Sequence, residues 1–99
     1  MSMKIRVQEL SGRVFNITLD EDAMLEDLQL KMQPFFTGCN HLDFKFIIHT
    51  ERNPNGVLVV HNKRLLDQGM EKEEGDSFYH MDMPTPLDNT LFLQIGERL

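Results

Sequence analysis

The first thirty-three residues constrain what this chain can fold into more than any other part of it. Lys4-Ile5-Arg6-Val7-Gln8 alternates polar and apolar residues, the period-2 mark of a strand with one buried face. Leu10-Ser11-Gly12-Arg13 reads as a turn, with Gly12 free to take the positive φ that a tight reversal needs. Phe15-Asn16-Ile17-Thr18-Leu19 alternates again. Asp20, Glu21 and Asp22 then open a helix, where acidic residues suit the positive end of the backbone dipole. Its apolar residues Leu25, Leu28 and Met32 recur at i, i+3 and i+7 and so form a single stripe. Two strands thus share an inward face, and a helix follows with an apolar stripe to lay across it.

Downstream, Pro34 removes an amide donor and ends the helix. Residues 35–41 form a loop whose Phe35 and Phe36 pack down. Residues 44–50 read as a strand, with Phe44, Phe46 and Ile48 on one face and Lys45, Ile47 and His49 on the other. Asn53-Pro54-Asn55-Gly56 is a strong turn signal, and 57–61 is β-branched and apolar, so 44–61 reads as a hairpin with a long tip. Residues 63–69 read as a turn or short strand stopped by a left-handed Gly69. Glu71, Glu73, Glu74 and Asp76 make a solvated face. Asp76 or Ser77 is expected to cap a short helical turn through Phe78, Tyr79 and His80. Pro84 and Pro86 hold an extended connector, and residues 90–95 form the last strand. Runs of strands around one helix make the fold class α+β.

A chain of 99 residues is expected to be one domain over 1–99. It can bury roughly 65% of its unfolded surface, enough for a core without staples. The net charge of −6 argues against a phosphate backbone or an anionic membrane as partner. No apolar run approaches the ~20 residues of a membrane span. The single cysteine, Cys39, forms no internal disulfide, so a reducing compartment, cytoplasmic or nuclear, is expected. The chain is expected to be a monomer. No metal and no cofactor are expected. His41, His49, His61 and His80 lack the close pairing of zinc ligands, and only Cys39 and His41 stand near each other. Nor is an enzyme expected: Cys39 has no thiolate-activating surroundings, and the acids Asp20, Glu21, Asp22, Glu26 and Asp27 suit a helix start.

A hairpin followed by the helix that covers it is the start of a β-grasp domain, and at this point the residues resemble ubiquitin. The match runs without a gap from Met3 to Gln33, through the turn at Leu10-Ser11-Gly12-Arg13 and the inward Ile5, Val7, Phe15, Ile17 and Leu19. Residues 59–69 form a second block, in which Lys63-Arg64-Leu65-Leu66-Asp67-Gln68-Gly69 is similar to the family's glycine-lysine-x-leucine-x-aspartate-glycine segment. Residues 88–95 form a third, with Asn89-Thr90-Leu91 in place of the serine-threonine-leucine of the closing strand. The resemblance implies a ubiquitin-like β-grasp with a mixed four- to five-stranded sheet and one main helix packed across it. The sequence departs from the family in longer stretches at 34–56 and 70–86. It also ends Gly96-Glu97-Arg98-Leu99, without a diglycine, so conjugation is not expected.

The resemblance places Leu10, Val60 and Phe92 where ubiquitin carries its hydrophobic recognition patch; the long hairpin also allows the register that puts Ile48 in place of Val60 at its centre. Leu58, Ile47, His61 and Arg64 stand at its margin. The pleat alone turns Leu58, Val60 and Phe92 outward if Val57, Val59, Leu91, Leu93 and Ile95 turn inward. An exposed apolar patch of this kind marks a partner site, unless the long insertions fold over it. The strands at 44–48 and 57–60 could also add to a partner's sheet through a free edge, with Lys45 as a guard against aggregation. The expected function is a non-catalytic protein–protein interaction module. Its partners would be other proteins, with ubiquitin-binding domains and proteasome or ubiquitin-pathway factors as candidates. The alternatives are a modifier whose diglycine tail is absent or lies further on, and the targeting domain of a longer protein.

Overall fold

The computed structural model describes residues 1–72, 75 and 77–84. Its first strands, β1 (Ser2–Glu9) and β2 (Val14–Asp20), form the expected hairpin, antiparallel from Ser2↔Asp20 to Gln8↔Val14. Met3, Ile5 and Val7 on β1 and Phe15, Ile17 and Leu19 on β2 all turn to the core, as the alternation requires. The helix α1 (Leu25–Met32) buries Leu25, Leu28 and Met32 against them. Removing each such side chain from water is worth about 1.5–3 kcal/mol.

Helix α1 starts later than its acids suggest. Asp20 ends β2, and its carboxylate accepts from the Asp22 N–H (3.1 Å) while its carbonyl accepts from Ala23 N–H (3.0 Å). The acids at 20–22 therefore shape the turn before the helix. The helix is opened by Asp27, whose carboxylate reaches back to the Met24 N–H at 2.8 Å. Pro34 lies in the short 3-10 turn Gln33–Phe35 that follows directly. Of the two aromatics there, Phe36 is buried, whereas Phe35 stacks on Phe15 with ring centroids 4.7 Å apart and stays half exposed.

The hairpin at 44–61 is present, but its ladder is short. Strands β3 (Ile47–Ile48) and β4 (Val57–Leu58) pair antiparallel, and the Val59 N–H extends the pairing to the Phe46 carbonyl at 3.0 Å. Phe44, Phe46 and Ile48 enter the core as expected. Residues 65–68 form a 3-10 turn that ends at Gly69, φ 83°, the left-handed stop read from the sequence.

The largest departure concerns β5 (Phe78–Met83), where a short helical turn was expected. It is a strand in the middle of the sheet, parallel to β1 from Lys4↔Phe78 to Glu9↔Met83 and antiparallel to β3 at Ile47↔Asp82. The sheet order is β2-β1-β5-β3-β4. Met81 and Met83 are fully buried, while Phe78 faces outward under the guanidinium of Arg6, 4.5 Å from its centroid. With an aromatic on the outer face and methionines on the inner one, the segment carries a weak period-2 signal. The last strand expected over residues 90–95, Phe92 among them, lies outside the described residues.

Candidate interaction surface

Beyond the short β4, residues 59–61 run along the edge of the sheet toward α1. Gln29 of α1, itself buried, donates from its side-chain amide to the Phe44 carbonyl (2.9 Å) and ties the helix to the strand beneath it. Between these elements lies a groove of about 440 Å³. Its floor is Leu25, Phe44 and Val59, and its apolar rim is Leu42, Leu58 and Val60. Leu42 is 58% exposed and Val60 41%. Lys45 and His61 are its only charged or titratable lining side chains among the described residues.

The outer edge of this segment is closed by a side chain. The Gln68 amide accepts from the Val60 N–H through Oε1 (2.8 Å) and donates through Nε2 to the Val60 carbonyl (2.8 Å) and to the Lys63 carbonyl (3.1 Å). One primary amide thus supplies the donor and the acceptor that a neighbouring strand would offer. This shields the edge expected to be open for sheet addition.

Next to the groove, Arg64 joins two turns. Its guanidinium donates to the Asp67 carboxylate (2.9 and 3.2 Å) and to Asp22 (3.1 Å). Hydrogen bonds to Asp67 and then to Asp22 hold the Arg64 pKa above its ordinary value, and Arg64 holds that of Asp67 down. The Leu65 N–H donates to the Ala23 carbonyl at 2.9 Å, so this pair of turns is also fixed through the backbone.

The structure brings together Leu58, Val60 and His61 of the residues predicted to bind partners. The other described ones lie elsewhere. Leu10 is 51% exposed at the tip of the β1–β2 hairpin, where its N–H donates to the Met83 carbonyl (2.8 Å), and β5 and β3 separate β1 from β4. Ile47, expected at the surface, is only 3% exposed. The turn at 50–56 folds back over it, and a Cβ on Gly56 would collide with its Cγ2. Arg64 is occupied by its two aspartates. Leu42 and Gln68 were not predicted. A lone leucine among Asn40, His41 and Asp43 was the only sequence signal for Leu42, and nothing local announces Gln68.

At the hairpin end of β1, Glu9 is a buried carboxylate, 2% exposed. Arg13 donates to it at 2.9 Å and Ser11 donates to its other oxygen. Burial pushes its pKa up, but the bonds from Arg13 and Ser11 outweigh this and hold it below the ordinary carboxylate value. Arg13 also lies over the rings of Phe15 and Phe36, at 5.2 and 4.9 Å from their centroids.

The order β2-β1-β5-β3-β4, with β1 and β5 parallel at the centre and one helix across the sheet, decides the architecture. The fold is a β-grasp. No protein-family model matches the chain, and no curated protein matches it. Among solved structures it is similar to part of the crystal structure of the FERM and C-terminal domain complex of Drosophila Merlin. The TM-score is 0.66 at 18% identity over 82% of this chain. The similar region is 26% of the chain in that structure, so this chain spans about a quarter of its length.

Proposed function

We propose that this chain is a non-catalytic, ubiquitin-like interaction module that binds other proteins through the groove between α1 and residues 58–61. The apolar rim around a preformed groove, with Leu42 and Val60 exposed and Leu58 half-buried, carries this reading. The occupant it fits is an amphipathic helix of a partner protein, with an aliphatic anchor for the groove and carboxylates to face Lys45 and His61. Ubiquitin-binding helices and ubiquitin-pathway factors are partners of this chemistry. A groove of this size supports a weak, transient interface.

The test is an amide-shift titration of the 15N-labelled chain with an acidic ubiquitin-binding helix. Shifts should cluster at Leu42, Leu58, Val60 and His61, and Val60→Glu should abolish them. An unperturbed groove at saturating helix overturns the reading. A second reading, the targeting domain of a longer protein, draws on the Merlin complex, where the similar unit is embedded in a longer chain. Reading the coding frame on both sides of these residues decides it.

A further inference from the structure

The imidazole of His49, just past β3, stands between two acceptors. Its Nδ1 lies 3.0 Å from the Pro54 carbonyl in the turn at 50–56. Its Nε2 lies 3.1 Å from Oδ2 of Asp82 on β5. A backbone carbonyl has no proton to give, so Nδ1 must carry the hydrogen of the first bond. An ionised carboxylate only accepts, so Nε2 must carry the hydrogen of the second. A neutral imidazole has a single N–H. Both bonds together therefore require the imidazolium, which also faces the charge of Asp82.

Around this pair, His80 of β5 sets its Nε2 3.0 Å from the other Asp82 oxygen, a bond that a neutral ring can also donate. On β1, Arg6 stands opposite His80 and the uncharged Gln8 opposite Asp82. From β3 and β4 come Ile47 and Leu58, without charge, and Lys45 lines the groove at 58–61. Glu51 and Arg52 follow the histidine in the exposed turn. The turn's own backbone bonds close it on itself, from the Asn53 N–H to the Thr50 carbonyl (3.1 Å) and from the Gly56 N–H to the Asn53 carbonyl (3.0 Å). None of these reaches β5, whereas the His49 ring does. The ring also packs on Gly56, where a Cβ would stand 3.0 Å from its Cε1. Beneath the turn, Ile47 on the outer face of the sheet is buried.

We propose that His49 is a proton-operated clasp over Ile47. Protonated on both nitrogens, it ties the 50–56 turn to β5 and keeps Ile47 covered. Neutral, it turns a lone pair toward either the Pro54 carbonyl or the Asp82 carboxylate, loses that bond, and lets the turn lift. The closed state holds one more proton than the open one, so it is favoured as pH falls and lost as pH rises. A histidine side chain changes charge between about pH 5 and 8, a range in which carboxylates are ordinarily ionised. The ring is partly exposed, so its proton exchanges with water. Acidity thereby sets how much apolar surface the outer sheet face presents at Ile47. The clasp goes beyond the groove at 58–61 and does not depend on it.

The test follows the 15N,13C-labelled full chain at about pH 6 and about pH 8.5, with a soluble paramagnetic probe reporting the exposure of the Ile47 methyl groups. At the lower pH the imidazole 15N shifts should show both His49 nitrogens protonated, with Ile47 shielded. At the higher pH the ring should be neutral, and relaxation enhancement at Ile47 should rise at least two-fold, in step with the His49 titration. The core residue Ile5 should not respond. His49→Ala should leave Ile47 exposed at both pH values. In Asp82→Asn the new amide can donate to a neutral ring, whose Nδ1–H stays on Pro54, so the pH response should vanish. His80→Gln should keep that response. Should Asp82→Asn unfold, His49→Ala, at a partly exposed position, decides alone. The proposal is overturned by equal shielding of Ile47 at the two pH values, or by a bare His49 nitrogen at the lower pH with the turn closed. A pH response that survives His49→Ala, or that disappears in His80→Gln, overturns it as well.

Discussion

The edge strands β2 and β4 solve the same problem in opposite ways. Any edge strand leaves backbone donors and acceptors without a ladder partner. At β4 the ladder is two residues long, and Gln68 reaches across to satisfy both groups of Val60. At β2 seven residues run in regular pairing with β1, and the outward groups of Val14, Asn16 and Thr18 meet no described residue. Length makes the difference: one side-chain amide can stand in for one residue of a neighbouring strand, not for three in succession. Among the described residues a short edge can thus be shut by one side chain, whereas a long one keeps its backbone groups turned outward.

The comparison can be broken most severely by removing what both edges lean on. Leu28→Ala, at a fully buried position under the sheet, should cost about 2–5 kcal/mol in urea unfolding and loosen β2 and β4 together. Loss at one edge alone would mean the two are not held by a common core. Gly56→Ala should act on the β4 side only. It forces a side chain to φ 91° and into Ile47, and should cost about 1–3 kcal/mol, with amide exchange quickened at 47–58 and unchanged in β2.

Gln68→Ala sharpens the contrast by making the closed edge resemble the open one. It should cost about 1 kcal/mol and speed exchange at the Val60 amide, while β2 exchange stays as it was. A smaller effect is expected from Glu9→Gln, read as pH dependence. Because the folded pKa of Glu9 lies below the unfolded one, its ion pair adds stability above the unfolded value, and that stability is lost as pH falls through the folded value. The wild-type chain should lose stability below about pH 4.5, and Glu9→Gln should flatten that decline in a series of denaturant midpoints. The smallest effect belongs to Arg64→Ala. Its ion pairs are solvent-exposed and the Leu65–Ala23 backbone bond remains, so the midpoint should stay within error of wild type.

Much of the fold was legible because local patterning and tertiary demand agree. The hairpin at 2–20, the stripe Leu25, Leu28 and Met32, the Pro34 stop and the Gly69 turn need only neighbours in sequence to explain them. Residues 78–80 were misread because Ser77 looks like a helix cap and Phe78 breaks the inward alternation. The strand state of β5 comes from β1 and β3 on either side, which the local sequence does not contain. The interaction surface was less legible. Leu58, Val60 and His61 were found through resemblance, and the structure gathers them around a groove. Ile47 was lost because a turn several residues away covers it, and Leu10 because two strands stand between it and the groove.

By itself, the sequence determined the periodicities: which residues alternate, where a helix can present one apolar face, and where the chain must turn. Those are short-range consequences of backbone geometry and side-chain polarity. Only the tertiary structure decided which strand took the centre of the sheet, which edge was shut by Gln68 and which meets no further strand among the described residues. Those outcomes depend on hydrogen-bond partners far apart along the chain, and pairing of that kind is settled by packing of the whole core.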